Sequence, residues 1–177
     1  MYIWLGIDID GQLEKMKKAA VAIDREIGFK NSCFTLPQHI SIKMSFRVDD
    51  EMFDSVLADV EAFYRSLAPF DVFISGPELD KNIAWIRMKN NADIDRIHID
   101  INELLLKKYN IPLHEYDMDF KFHSTLFMDS DESLVAKAFD AVKATELPLK
   151  VRANKFVIGT SATGALGTYS VFKTIVI

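Results

Sequence analysis

Apolar positions along the chain switch between a period near two and a period near 3.6, and each switch marks an element boundary. Residues 2–7, Tyr-Ile-Trp-Leu-Gly-Ile, form an apolar run ending at Asp8, the pattern of a buried first strand. From Gly11 to about Phe29 the spacing turns helical, with Leu13, Met16, Ala20, Ile23 and Ile27 on one face and lysines and aspartates on the other. Residues 34–46 return to alternation. Asp49 or Asp50 then caps a second helix that buries Met52, Phe53, Val56, Leu57, Val60 and Phe63 and ends before Pro69. Strands at 70–75 and 83–88 flank a turn over 76–82, where Gly76 and Pro77 interrupt the pattern. A third helix over 92–109 turns Ile94, Ile97, Ile101, Leu104 and Leu105 inward. After a loop through Pro112 come a strand around His123, a short helix at 133–145 and two long strands at 149–159 and 168–177, joined around Gly164 and Gly167.

The order repeats. Each half reads strand, helix, histidine strand, helix, strand pair, provided that the strand at 83–89 also opens the second half. That sharing argues for one unit over residues 1–177, a length suited to one well-filled domain. The expected fold is α/β (α+β), bilobal and duplicated: two mainly antiparallel sheets around a central cleft, with helices on the outer faces.

The two histidine strands carry the chemistry. In Pro37-Gln38-His39-Ile40-Ser41-Ile42-Lys43-Met44, strict alternation places His39, Ser41 and Lys43 on one face and Ile40, Ile42 and Met44 on the other. Nearly half a chain later the pattern recurs as Lys121-Phe122-His123-Ser124-Thr125-Leu126-Phe127, with His123 and Thr125 on one face beside Lys121 and with Ser124 turned away. One such motif is unspecific; two matched ones bring two imidazoles and two hydroxyls to one cleft. Paired imidazoles can hold opposite protonation states, one taking a proton while the other gives one, which suits attack at phosphorus without a metal or other cofactor. Ser41 and Thr125 would hold nonbridging oxygens, and Lys43 and Lys121 are weaker phosphate-binding candidates. Tyr116, Trp85, Phe127 and Tyr169 could stack on a base but are better explained by core packing. His98 shares the apolar stripe of the third helix and reads as structural. The acidic loop with His114, Glu115, Asp117 and Asp119 has no recognised metal-ligand spacing.

Composition narrows the ligand. A net charge of −5 argues against a broad grip on duplex DNA, which needs many neutralised phosphates, and favours a small phosphate or a strand end entering a cleft. The N-terminus has no basic flank and meets acid at Asp8 and Asp10, so neither a signal peptide nor a membrane span is expected. A single cysteine, Cys33, excludes an internal disulfide and fits a reducing, cytoplasmic setting. The chain is expected to act as a monomer.

His39-Ile40-Ser41-Ile42 and His123-Ser124-Thr125-Leu126, the preceding Leu36-Pro37 and the duplicated element order resemble the 2H phosphoesterase superfamily, also called the 2'-5' RNA ligase-like or cyclic phosphodiesterase family. The resemblance implies a bilobal fold with two antiparallel sheets around a cleft. It implies cleavage of 2',3'-cyclic phosphates at nucleotide or RNA ends, with one of His39 and His123 as base, the other as acid, and Ser41 and Thr125 on the phosphate. Many RNA-processing relatives carry an arginine soon after the second motif; here Phe127, Met128 and Asp129 follow, which argues against an extended RNA substrate. The competing reading is a module that binds a nucleotide or RNA end in the same cleft without turnover.

Overall fold

The strands that the hydrophobic pattern marks off find their partners across the length of the chain. The computed structural model describes residues 1–177 and contains β1 (Tyr2–Asp8), α1 (Glu14–Ile27), β2 (His39–Arg47), α2 (Asp50–Arg65), β3 (Phe70–Asp80), β4 (Ile83–Met88), α3 (Ala92–Tyr109), β5 (His123–Met128), α4 (Glu132–Val142), β6 (Lys150–Ala153), β7 (Lys155–Ser161) and β8 (Ser170–Val176). They form two antiparallel sheets of four strands, ordered β2-β1-β7-β8 and β5-β4-β3-β6. Both histidine strands are therefore edge strands, each next to the strand that opens its half. α2 and α3 pack on the first sheet, and α1 and α4 on the second. No helix is long and apolar enough to cross a membrane.

Local chemistry sets the helix ends. The Asn91 carboxamide accepts the N–H groups of Asp93 and Ile94 and so caps two orphan donors of α3. That helix stops where Asn110 turns left-handed, φ 55°. Between each sheet and its helices lies the core: Ile3, Leu5, Ile7, Ile40 and Ile42 point inward from the first sheet, and Ala84, Ile86 and Met88 from the second. Each fully buried aliphatic side chain contributes roughly 1.5–3 kcal/mol, which is why these inward faces fix the register.

Two expected elements differ. The strand expected at 149–159 is two strands: β6 completes the second sheet, and after Asn154 the chain crosses into the first as β7. β3 runs through the expected turn at 76–82 and reverses at Lys81, φ 52°. Its Pro77 is tolerated because β6 pairs only with Phe70–Phe73, leaving an open edge beside the missing N–H.

A bulge follows the hydroxyl in both histidine strands. Gly6 pairs with Ser41 but Leu5 with Lys43, and Trp85 pairs with Thr125 but Ala84 with Phe127, so each edge strand carries an extra residue at Ile42 or Leu126. The duplication thus extends to an irregularity of the backbone. Beyond each bulge the alternation is reset, and Lys43 and Phe127 turn inward with Leu5 and Ala84.

Candidate active site

β2 and β5 lie against each other, held by Gln38. This side chain, 2% exposed, accepts the Ser124 hydroxyl at 3.0 Å and donates to the Thr125 carbonyl at 3.3 Å. Its own backbone is fastened to the end of β1: its N–H reaches the Asp10 carboxylate at 2.9 Å and its carbonyl accepts the Ile9 N–H at 2.9 Å. The residue before the first histidine therefore joins both motifs. The two imidazoles come close enough for a charge on His123 to depress the pKa of His39.

Each ring is oriented in the same way. Nδ1 of His39 lies 2.7 Å from the Pro37 carbonyl, and Nδ1 of His123 lies 2.5 Å from the Lys121 carbonyl. A carbonyl only accepts, so Nδ1 carries the proton in both rings and leaves Nε2 as the nitrogen that can take or give one. Burial pushes His39 from 6.5 down to about 4; the Pro37 carbonyl and Asp8 oppose the fall, and His123 adds to it. His123 is lowered as well, by burial first, with the Lys121 carbonyl opposing and the Arg87 charge contributing. Both rings of the free protein are thus held toward the neutral form.

Tryptophans back both rings. The Trp4 indole meets His39 edge-on, with centroids 4.1 Å apart, and donates from Nε1 to the Ser41 hydroxyl at 3.0 Å. With its oxygen accepting, Ser41 has its own proton free to donate to a ligand. The indole lies flat on the sheet only because Gly6 and Gly159 lack side chains; a Cβ on Gly159 would fall 2.4 Å from the Trp4 ring. In the second lobe Trp85 packs on His123 with centroids 4.5 Å apart, stands opposite Thr125 and donates to Glu78 at 3.3 Å.

Charges break the symmetry. Opposite His39 in the ladder is Asp8, 5% exposed and paired with Lys155 at 2.6 Å. Opposite His123 is Arg87.

Lys43 departs from expectation. The bulge rotates it off the histidine face into the helix layer, where it is 1% exposed and its ammonium is ion-paired with Asp117. It is therefore not available to a ligand on the histidine face. The same node satisfies the bulged edge: Asp117 accepts the Met44 N–H at 3.2 Å, and His98 bonds the Ile42 carbonyl at 2.8 Å and the Asp117 carbonyl at 2.9 Å. His98 is thus structural. Asp117 also accepts the His114 N–H at 2.8 Å, so its carboxylate is committed to this node. Lys121 is exposed, and its carbonyl is what orients His123. Ser124 is buried away from the cleft on Gln38.

Sequence reasoning passed over Trp4, Gln38 and Arg87 and assigned Trp85 to the core. The signal for Arg87 was present: it is the single charge in Ile83-Ala84-Trp85-Ile86-Arg87-Met88, two positions from Trp85 and therefore on its face.

A sequence profile described as the 2'-5' RNA ligase superfamily matches residues 12–164. Among solved structures the chain is similar to Escherichia coli LigT complexed with 3'-AMP, at 12% identity and a TM-score of 0.58, covering 99% of this chain and 96% of that one. It is also similar to TT0787 of Thermus thermophilus, at 18% identity and a TM-score of 0.63, covering 99% and 97%. A structure described as a phosphoesterase aligns at 13% identity and a TM-score of 0.58, covering 99% and 98%. These identities carry the fold alone. No curated protein sequence matches the chain.

Proposed function

We propose that this chain, which belongs to the 2'-5' RNA ligase superfamily and so to a group of phosphoesterases, hydrolyses 2',3'-cyclic phosphates of nucleotides or RNA ends by paired-histidine general acid–base catalysis. The observation that carries the reading is the pair of imidazoles, each with Nδ1 fixed on a carbonyl and Nε2 left for proton transfer. LigT has been crystallised with 3'-AMP, ATP and phosphate, and a nucleotide phosphate is the ligand we assign to the cleft here.

In this scheme a water stands between phosphorus and one Nε2. That nitrogen takes the water proton as the oxygen attacks phosphorus, the bond from phosphorus to one ribose oxygen breaks, and the other imidazolium protonates that oxygen. The product is a ribose monophosphate, and the two rings have exchanged protonation states. The Ser41 and Thr125 hydroxyls donate to nonbridging oxygens as charge builds on them. Burial holds both rings neutral in the empty cleft, and the negative charge of the bound phosphate restores a proton to one of them. No step calls on a metal, and the protein acts as a monomer in the cytoplasm.

Phosphorus NMR of each of the four nucleoside 2',3'-cyclic monophosphates, with EDTA present, tests the reading against His39→Ala and His123→Ala proteins. Conversion to a monophosphate is expected, slowed about 100-fold or more in either variant, since general acid–base catalysis contributes about 10²–10⁴-fold. Full activity in either variant would sink the mechanism. A cyclic nucleotide that binds tightly yet stays intact would make the cleft a binding module.

A further inference from the structure

The guanidinium of Arg87 is a cation with no counter-ion. Arg87 forms no salt bridge and donates no hydrogen bond, yet its Nη1 is fully enclosed without a partner. Arg87 as a whole is half-buried, and an enclosed N–H left unbonded is costly. Carboxylates of the two sheets are spent on other partners. Glu78 takes the Trp85 indole N–H, Asp8 takes Lys155 on the other sheet, and Asp71 takes Lys150 and Arg152.

Its position says what would satisfy it. Arg87 is the ladder partner of His123, and cross-strand partners on one face have Cβ atoms about 4.5–5.5 Å apart. Two residues back on the same face, Trp85 packs on His123 and stands opposite Thr125. The guanidinium therefore belongs to the group made by one reactive imidazole and one free hydroxyl. On its other side Gly76 faces it across the β3–β4 ladder without a side chain, at a bulge with φ 147°.

Resting on the phosphoesterase reading above, we infer that Arg87 is a catalytic residue that donates a forked pair of hydrogen bonds to nonbridging oxygens of the substrate phosphate. A planar guanidinium fits two phosphate oxygens, which a lysine cannot do. The same charge disfavours protonation of His123 while the cleft is empty, beside the larger effect of burial. An arriving phosphate answers the charge through Nε and Nη2, the side of the fork that is not enclosed.

The test is calorimetric titration of the full-length chain with inorganic phosphate, with 3'-AMP and with adenosine, run on wild type, Arg87→Gln and Arg87→Lys, alongside cyclic-phosphate turnover. Arg87→Gln should weaken phosphate and 3'-AMP binding about 10- to 100-fold, the equivalent of one lost charge-assisted hydrogen bond, and leave any adenosine binding unchanged. Its melting temperature without phosphate should equal or exceed that of wild type, because a cation without a counter-ion has been removed, and a given phosphate concentration should raise the wild-type value more than the variant's. Arg87→Lys should fall between. If the glutamine variant does not fold, the lysine variant decides: a loss supports the forked contact and wild-type affinity overturns it. Unchanged phosphate affinity and turnover in Arg87→Gln, or no phosphate binding by wild type, overturns the assignment and leaves the histidine mechanism to its own test. Arg87-dependent phosphate binding without turnover of any cyclic phosphate keeps the assignment and overturns the enzyme.

Discussion

His39 makes the stability of the fold depend on pH in a way that one substitution can isolate. Burial lowers its pKa from 6.5 to about 4, so between these values the unfolded chain carries a proton at this site that the folded protein lacks. Stability then rises with pH, because the unfolded state binds more protons; the contribution is fully present above 6.5 and is lost as pH falls toward 4. Integrating the two titrations from pH 7 to pH 4.5 gives a loss of about 2 kcal/mol from this residue. His39→Gln keeps much of the size and polarity without titrating, so urea denaturation of both proteins at the two pH values separates this term from the common protonation of carboxylates. Wild type should lose about 2 kcal/mol more than the variant. Equal losses would show that the ring is solvated in the folded protein, and the case for a desolvated cleft would fall with it. The kinetic counterpart is a bell-shaped kcat/KM profile, which reports the free enzyme and should peak on the acid side of 6.5 because both rings are lowered.

Two further perturbations reach the site through its supports. Gly159→Ala drives a methyl group into the Trp4 ring, where a Cβ would sit 2.4 Å from the indole; kcat should fall several-fold as Ser41 loses its Trp4 partner, while circular dichroism shows the fold retained. Lys43→Met strands the buried Asp117 carboxylate and should cost about 3–5 kcal/mol in urea denaturation, most of it recovered in Lys43→Met/Asp117→Asn; a cost below about 1 kcal/mol would mean that the pair is solvated.

What the sequence makes legible in this chain is whatever follows from alternation over a few residues. His39 with Ser41, and His123 with Thr125, need only a period of two, and the structure keeps each pair on one face. Lys43 lies one step further, beyond a bulge, and the number of residues opposite Leu5 is set by pairing with β1 and not by β2 itself. The alternation puts Trp85 and Arg87 on one face of β4 but does not say what that face meets. An aromatic and an arginine on a short apolar strand are as consistent with core and rim as with a cleft until β4 is known to lie beside β5. The division at Asn154 is likewise a decision between two sheets, and the alternation runs on across it with little local sign of the switch.

The edge position of both histidine strands explains why these hidden features gather there. A strand flanked on both sides must keep its register, whereas an edge strand can take an extra residue if its freed backbone groups find partners. Here His98 and Asp117 supply those partners for β2 at Ile42 and Met44, which gives buried polar groups far from any chemistry a reason to be where they are. An edge can also approach a second edge. Gln38 bonds β5 through both ends of its carboxamide, so that two motifs from separate sheets share one cleft. Duplication alone would then give two equivalent imidazoles and no direction. The ladder partners differ, an aspartate neutralised by Lys155 on one side and an unanswered arginine on the other. On the proposed reading, an anion entering a cleft so polarised would settle toward His123, and that bias would set the orientation in which the two rings meet the scissile bond.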